Sequence, residues 1–457
     1  MTDRDLFLHV AAQAAAFRDS LPTRPIPAAD PQRARAAFGG PLPEQGAAPA
    51  QVIDQLIAAA EPGLVASPGP RFFGFVVGGA LPAAAAADML ATGWDQCAFN
   101  SVLSPAAQGA ELAAGSWLKE VLGLPAGASV GFVTGAQAAN TVGLACGRDH
   151  VFAQAGHDVA RSGLLGAPAL RVVASQERHA TIDRSLRLLG LGTDVIEPVR
   201  TDANGAMDMA DLARVLSAGP AGAPMIVCLQ AGNVNTGAID DLRTGCDLGH
   251  QARAWVHVDG AFGLWAAANP DTAPLLDGAD QADSWCCDGH KWLNVPYDSA
   301  FAIVSRPELH QRVMSYRAAY LVGSQAEGEM ADYTPESSRR SRGFAVWAAL
   351  RELGRCGLAD LIARNCALTR RFAAGLSAAG FEIGNDVVLN QALVSFGDDE
   401  HTGRVIAAVQ EAGVCWFGGT TWRDRAYMRI AVSNYATTPA DVDRCVEHIV
   451  AVAAATV

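Results

Sequence analysis

The sequence predicts an α/β protein: a mostly parallel central sheet flanked by helices, a small C-terminal α+β domain, and an N-terminal helical arm. Three observations carry this prediction. Short, near-continuous apolar runs that end on a polar residue recur through the middle of the chain, as in LRVVAS, PMIVCLQ, AWVHVD and SWCCD. Strands covered on both faces read this way, and parallel sheets are covered on both faces. In SVGFVTGAQAANTVGLACGRDH a strand passes through a Gly turn directly into a helix. From about residue 343 a long helical stretch leads to three alternating strands, VLNQALVSF, VCWFGGTTW and YMRIAVSN, and a closing helix. The expected divisions are an arm with helices over 1–90, a large domain over 91–342 and a small domain over 343–457.

Composition bounds the function. The chain has 457 residues, 50% hydrophobic and 18% charged, which is long enough for two or three packed cores and too apolar for disorder. A net charge of −13 argues against nucleic-acid or anionic-membrane partners. The ten cysteines are scattered without a C-x-x-C pair, so neither a disulfide framework nor a metal site is expected, and a reducing cytoplasm is the expected compartment. The adjacent pair Cys286–Cys287 lies in a strand and should face opposite sides of the sheet. The alanine-rich run from Ala80 to Ala91 is too short and interrupted to span a bilayer. The N-terminus shows no cleavage-like signal.

Taken in order, residues 4–19 show helical spacing, Leu21 to Pro49 reads as an extended Pro/Ala/Gly arm, and a second helix covers 50–60. Such an arm has little to pack on in its own chain, so it is expected to wrap a second copy. The strand from Ser129 should end at Thr134–Gly135, with Thr134 as N-cap. Backbone N–H groups of Ala136 and Gln137 at the following helix start would then form an anion site. His179 opens the helix after LRVVAS. Asn235 and Thr236 lie just past the strand PMIVCLQ, where ligands of open α/β sheets bind. His257 alternates with Val256 and Val258 in the next strand and reads as structural. Residues 321–338 are polar and without periodicity, the pattern of a loop. A break near Gly354 divides the long helical stretch.

The chain is organised around DSWCCDGHKWLNVPYDSAFAIVS, residues 283–305. Lys291 stands between two apolar strands, and lysines are seldom buried without a task. Loss of hydration should lower its pKa, making it a candidate amine for a Schiff base with an aldehyde cofactor. Asp259 ends an apolar strand 32 positions earlier (291 − 259). An Asp that keeps a pyridine nitrogen protonated, with a Lys that carries the aldehyde carbon, is what pyridoxal phosphate chemistry requires.

From about Phe72 onward, HVDGAFG, DGHKWLNVPYD and SRRSRGFAVWAALRELGRCG resemble the group II pyridoxal-dependent amino-acid decarboxylases. The resemblance implies fold type I, pyridoxal 5′-phosphate as cofactor and a homodimer with shared active sites. It implies further that His179 stacks on the pyridine ring opposite Ala261 and can help transfer a proton, so that His179 or the loop tyrosine returns the proton to carbon. Thr134, Gly135, Ala136 and Gln137 would hold the phosphate, Asp288 would bind the cofactor, His290 would contact the phosphate or the substrate, and Ser337 and Ser338 would reach the neighbouring subunit's phosphate. Asn235 and Thr236 would touch the cofactor's phenolic oxygen or the substrate carboxylate. Tyr320, or alternatively Tyr333, takes the place of the loop tyrosine that reprotonates the former α-carbon. Phe75, Val76, Val77 and Phe99 fall at the substrate pocket. Where the aromatic-acid enzymes carry Tyr-Phe-Pro-Thr, this chain has Phe75-Val76-Val77-Gly78, which lacks the polar groups and suits an apolar side chain.

The implied reaction is decarboxylation of an L-amino acid to amine and carbon dioxide. Other reactions at the same carbon stay open: aldol cleavage, transamination with Arg429 on the carboxylate, or decarboxylation with oxygen consumption to an aldehyde. The family's aldehyde synthases carry phenylalanine at the loop tyrosine, so Tyr320 points to simple decarboxylation. A non-catalytic protein keeping the fold is the reading from another class, and retention of Lys291 and Asp259 speaks against it.

Overall fold

The computed structural model describes residues 2–26, 30–220, 222–316 and 328–456. Its main sheet contains β1 (Ser129–Val133), β2 (Arg171–Ser175), β3 (Ile196–Val199), β4 (Met225–Gln230), β5 (Trp255–Asp259), β6 (Ser284–Asp288) and β7 (Ala300–Val304). They are ordered β1-β7-β6-β5-β4-β2-β3. Neighbours from β3 to β6 pair in parallel, while β7 runs antiparallel to both β6 and β1. Every residue of β2, β4, β5, β6 and β7 is buried. That explains the continuous apolar runs: helices cover both faces, so no position is left for a solvated side chain. Cys286 and Cys287 do face opposite sides, each packing into a different apolar cluster.

The helix Ala136–Gln154 lies flush on β5. Its Gly143 and Gly147 stand one turn apart, and a Cβ on either would fall 2.6 Å from His257 Nδ1 or from the Trp255 ring. Their missing side chains let a helix carry polar residues directly over a strand. The second sheet holds β8 (Glu382–Ile383), β9 (Gln391–Ser395), β10 (Gly418–Trp422) and β11 (Arg425–Ala431), in the antiparallel order β10-β11-β9-β8. The long helix Gly343–Ala378 breaks at Gly354, whose φ of 57° and ψ of −172° suit glycine.

The N-terminal segment departs from the expected extended arm. A helix forms over Pro31–Phe38, with Asp30 capping it and Pro31 preset at its first position. The flanking helices Asp3–Ser20 and Pro49–Ala60 bury no residue within the described chain. No helix among the described residues is long and apolar enough to cross a membrane.

Candidate active site

The carboxyl ends of β4, β5 and β6 converge on one set of charged side chains. β6 ends at Asp288, and the chain turns through Gly289 and His290 to Lys291. Lys291 Nζ lies 3.0 Å from Asp288 Oδ2. The other carboxylate oxygen accepts the Ala136 N–H at 2.7 Å, at the first residue of the helix over β5. The expected depression of the Lys291 pKa is not found. Desolvation pulls it down, but the Asp288 carboxylate in contact and Asp259 beyond it outweigh burial, so the pKa lies above the ordinary value. His290 Nδ1 accepts the Ser299 N–H at 3.2 Å. The neutral ring therefore carries its proton on Nε2, which is 3.5 Å from Asp288 Oδ1. The Tyr297 ring stacks on His290 at 4.4 Å.

Asp259 closes β5 and is buried. Its Oδ2 accepts from Asn140 Nδ2 at 3.1 Å, and its Oδ1 accepts from Cys286 Sγ at 3.1 Å and from the Ala261 N–H at 3.3 Å. Burial raises its pKa, but His179, Cys286 and His257 together bring it below the usual carboxylate value. His179 caps the helix Ala180–Leu188, its Nδ1 accepting the Thr181 N–H. The ring keeps one side open to solvent. Its pKa is lowered first by desolvation and then by Lys291 and Arg429, against the pull of Asp259. Arg429 reaches this group from β11. Its only side-chain hydrogen bond among the described residues runs from Nη1 to the Val234 carbonyl at 3.3 Å, and no carboxylate there pairs with it.

A loop from Phe72 to Gly79 rests on the lysine turn. A Cβ on Gly78 would fall 2.0 Å from the Lys291 carbonyl oxygen, and one on Gly74 would overlap the Trp416 ring. Asn294 holds the loop by accepting the Gly79 N–H at 2.6 Å. Phe72 stacks on Trp416 at 4.7 Å, and Phe75 adds to the group at 5.1 Å from Trp416.

The sequence-predicted residues separate into two groups. Lys291, Asp259, Asp288, His290, His179, Ala261, Gly135 and Ala136 come together. Gly135, not Thr134, is the residue before the first helical turn, and the side chain that bonds that end is Asp288, from β6. The Gln137 side chain turns away to Ser185 Oγ at 2.8 Å. Asn235 accepts from Thr420, and the Thr236 hydroxyl donates to the Asn204 carbonyl, so both are engaged within loop structure. Val76 is packed in the main core, whereas Phe75 is exposed and Val77 half-buried. Phe99 pairs its carbonyl with the Ala331 N–H, beside the segment that carries Ser337 and Ser338. That segment is fixed by the buried pair Arg339–Glu111, at 2.6 Å. Tyr333 packs by β1, its hydroxyl accepting from Gln311 at 2.7 Å and its ring 5.2 Å from His310. Tyr320 lies outside the described residues.

Sequence reasoning missed Asn140, Tyr297 and Trp416. Asn140 had a signal: it is a polar residue in an otherwise Ala- and Gly-rich helical face. Trp416 had none, because its partners are more than 300 positions away.

Residues 31–397 match the family model of the pyridoxal-dependent decarboxylase conserved domain. The chain belongs to that family. Its cofactor is pyridoxal phosphate, and this decarboxylase is a carboxy-lyase by class. It is 27% identical over 344 residues to the aromatic-L-amino-acid decarboxylase of Bacillus atrophaeus, covering 74% of this chain and 69% of the relative. It is 26% identical over 457 residues to the 4-hydroxyphenylacetaldehyde synthase of Rhodiola rosea, covering 93% of this chain and 90% of the relative. In fold it is similar to the crystal structure of Oryza sativa TDC with PLP and tryptamine, with a TM-score of 0.92, 23% identity, and coverage of 100% and 99% of the two chains. The site chemistry of the decarboxylase suits the cofactor. A Cβ on Gly135 would face His290 Cε1 at 3.6 Å, so glycine leaves a cradle at the helix start beside a lysine amine and a buried carboxylate.

Proposed function

We propose that this decarboxylase acts on an L-amino acid with a large apolar or aromatic side chain, releasing the amine and carbon dioxide, with Lys291 carrying the cofactor. The observation that supports the substrate class is the aromatic group Phe72–Trp416–Phe75, held on the Lys291 turn by Gly78 and Asn294. It offers flat apolar area and no charge. Pyridoxal phosphate supplies an aldehyde for amines and a protonated ring that draws electrons from the substrate's α-carbon. Asp259 holds the proton on the ring nitrogen. His179 and Ala261 would flank the ring. The phosphate would sit at the helix start beside Gly135, taking over the Ala136 N–H and the His290 Nε2 that face Asp288 in this structure.

Arg429 has no carboxylate among the described residues and lies close enough to His179 to depress its pKa. It and His179 would hold the substrate carboxylate, and the cofactor would supply the electron-withdrawing system into which the broken bond's electrons pass. Poor solvation there favours loss of the carboxylate's charge. Tyr320, which lies outside the described residues, would return the proton to carbon.

Two copies share the sites in this reading. The segment of Phe99 pairs with the one that carries Ser337 and Ser338, and apolar Phe7, Leu8, Val52 and Leu56 are exposed on the N-terminal helices. That surface suits a second copy.

The test is product analysis on cofactor-loaded protein offered the twenty amino acids, following carbon dioxide and amine together. Equal amounts of both from an aromatic or other apolar amino acid are expected. The long match to an aldehyde synthase favours a second reading, aldehyde with oxygen uptake. Carbon dioxide accompanied by aldehyde and peroxide would select it. Turnover of acidic amino acids alone would overturn the apolar pocket.

A further inference from the structure

Behind the charged site lies a buried hydrogen-bond chain whose direction is fixed at one end. The Trp255 indole, which can only donate, gives its Nε1–H to Ser284 Oγ at 2.9 Å. Ser284 Oγ lies 2.8 Å from His257 Nδ1. The indole cannot take the hydroxyl's hydrogen, and Nδ1 is the one acceptor that Ser284 Oγ meets among the described residues, so the hydrogen goes to Nδ1, which is then unprotonated. The proton of neutral His257 is then on Nε2, 2.8 Å from Asn140 Oδ1. This leaves the Asn140 amide one orientation. Its two N–H bonds go to Asp259 Oδ2 at 3.1 Å and to Thr181 Oγ1 at 3.1 Å. Thr181 Oγ1 in turn lies 2.9 Å from His179 Nδ1. Asn140, His257 and Ser284 have no measurable exposure, so no water competes with these bonds.

We infer that Asn140 is a positioning residue, a branch point through which the Trp255–Ser284–His257 chain fixes both the ionised, oriented carboxylate of Asp259 and the ring tautomer of His179. Permanent donation from a buried amide stabilises the charged form of Asp259 over the neutral one. The group that keeps the cofactor's ring nitrogen protonated thus owes part of its charge to residues that never touch the cofactor. The burial of His257 lowers its own pKa to about 4, so it stays neutral and the direction of the chain holds across the working range. The glycines at 143 and 147 are part of the same device, because a side chain at either would push Asn140 off β5.

This inference rests on the proposed role of Asp259, and the test separates the two. Full-length protein is loaded with pyridoxal phosphate labelled with ¹⁵N in the ring, and the ring-nitrogen resonance is recorded for wild type, Asp259→Asn, Asn140→Ala and Ser284→Ala. Asn140→Ala is expected to move the resonance toward the unprotonated position. It should lower kcat about tenfold, the equivalent of one pKa unit, and leave KM within about twofold. Ser284→Ala, which releases the tautomer of His257 without opening the Asp259 contact, should move both in the same direction by about twofold. A resonance that moves in Asp259→Asn but stays put in Asn140→Ala, with unchanged kcat, overturns the inference. Should Asn140→Ala not fold, an unmoved resonance and kcat in Ser284→Ala overturns it equally. A resonance unmoved even in Asp259→Asn overturns instead the reading of Asp259, and the inference with it.

Discussion

The Lys291 end of the main sheet and the surface formed by residues 97–103 and 328–340 are both charged and both conspicuous, yet they are completed differently. At the first, each ionisable group meets a partner in its own chain: Lys291 with Asp288, Asp259 with Asn140 and Cys286, His290 with Ser299. The exception is Arg429, which donates to one carbonyl. At the second, the backbone is well tied, with Ser101 bound to Glu329 and Arg339 to Glu111. It nevertheless presents Val102 and Leu103 to solvent. The difference teaches that one region satisfies its charges within the chain, save for one cation without a carboxylate among the described residues, while the other is tied down yet leaves apolar side chains in solvent, the surface proposed above to meet a second copy.

Breaking the first region should have the largest effect. Lys291→Ala removes the amine proposed to carry the cofactor, and turnover is expected to fall by more than about a thousandfold. Dialysis should then strip the cofactor from the variant and not from wild type, as followed by absorbance. Cofactor retained as firmly in the variant would mean that another residue carries it.

Arg429 tests the exception. Arg429→Met keeps the length and removes the charge. If the guanidinium meets the substrate carboxylate, losing this partly buried pair costs about 2 kcal/mol, and KM should rise about thirtyfold. An unchanged KM would return Arg429 to the role of a structural residue joining β11 to the Val234 loop.

Asp288 tests how the first region is balanced. Loading of the cofactor requires the neutral amine, and the Asp288 carboxylate holds Lys291 above its ordinary pKa. Below that pKa the neutral fraction, and with it the loading rate, climbs about tenfold per pH unit. Asp288→Asn can still accept the Ala136 N–H but lacks the charge. The rise should therefore move to lower pH, and loading at neutral pH should quicken by about tenfold. Stopped-flow absorbance against pH measures both curves, and superimposable curves would remove Asp288 from the account.

Much of this was legible before the structure. Buried parallel strands, which tolerate no polar alternation, announce themselves as apolar runs, and the β5 and β6 ends at Asp259 and Asp288 follow from them. The helix break at Gly354 was readable from one residue. The Lys291 pKa was read in the wrong direction because the expectation weighed burial alone, while the deciding carboxylate stood three positions away. Thr134 was taken as a cap because threonine prefers that place, yet the chain extends one residue further to Gly135. Asn140 and Trp416 were invisible as site components because contacts between distant segments have no periodic signature.

The smallest expected signal is also the sharpest test of the comparison. If the surface carrying Phe99 serves the neighbouring copy, a chain lacking Lys291 and a chain altered at Phe99 fail in different halves of a shared site. Phe99→Asp alone should be nearly inactive in a homodimer, and Lys291→Ala alone fully so. Refolded as an equal mixture, half of the dimers are mixed. Each mixed dimer holds one site with the intact lysine of one chain and the intact Phe99 surface of the other. Activity should return to about a quarter of wild type, from two preparations that have almost none. If Phe99 acted within its own chain, mixing could not assemble an intact site, and the mixture would stay at the average of its parts.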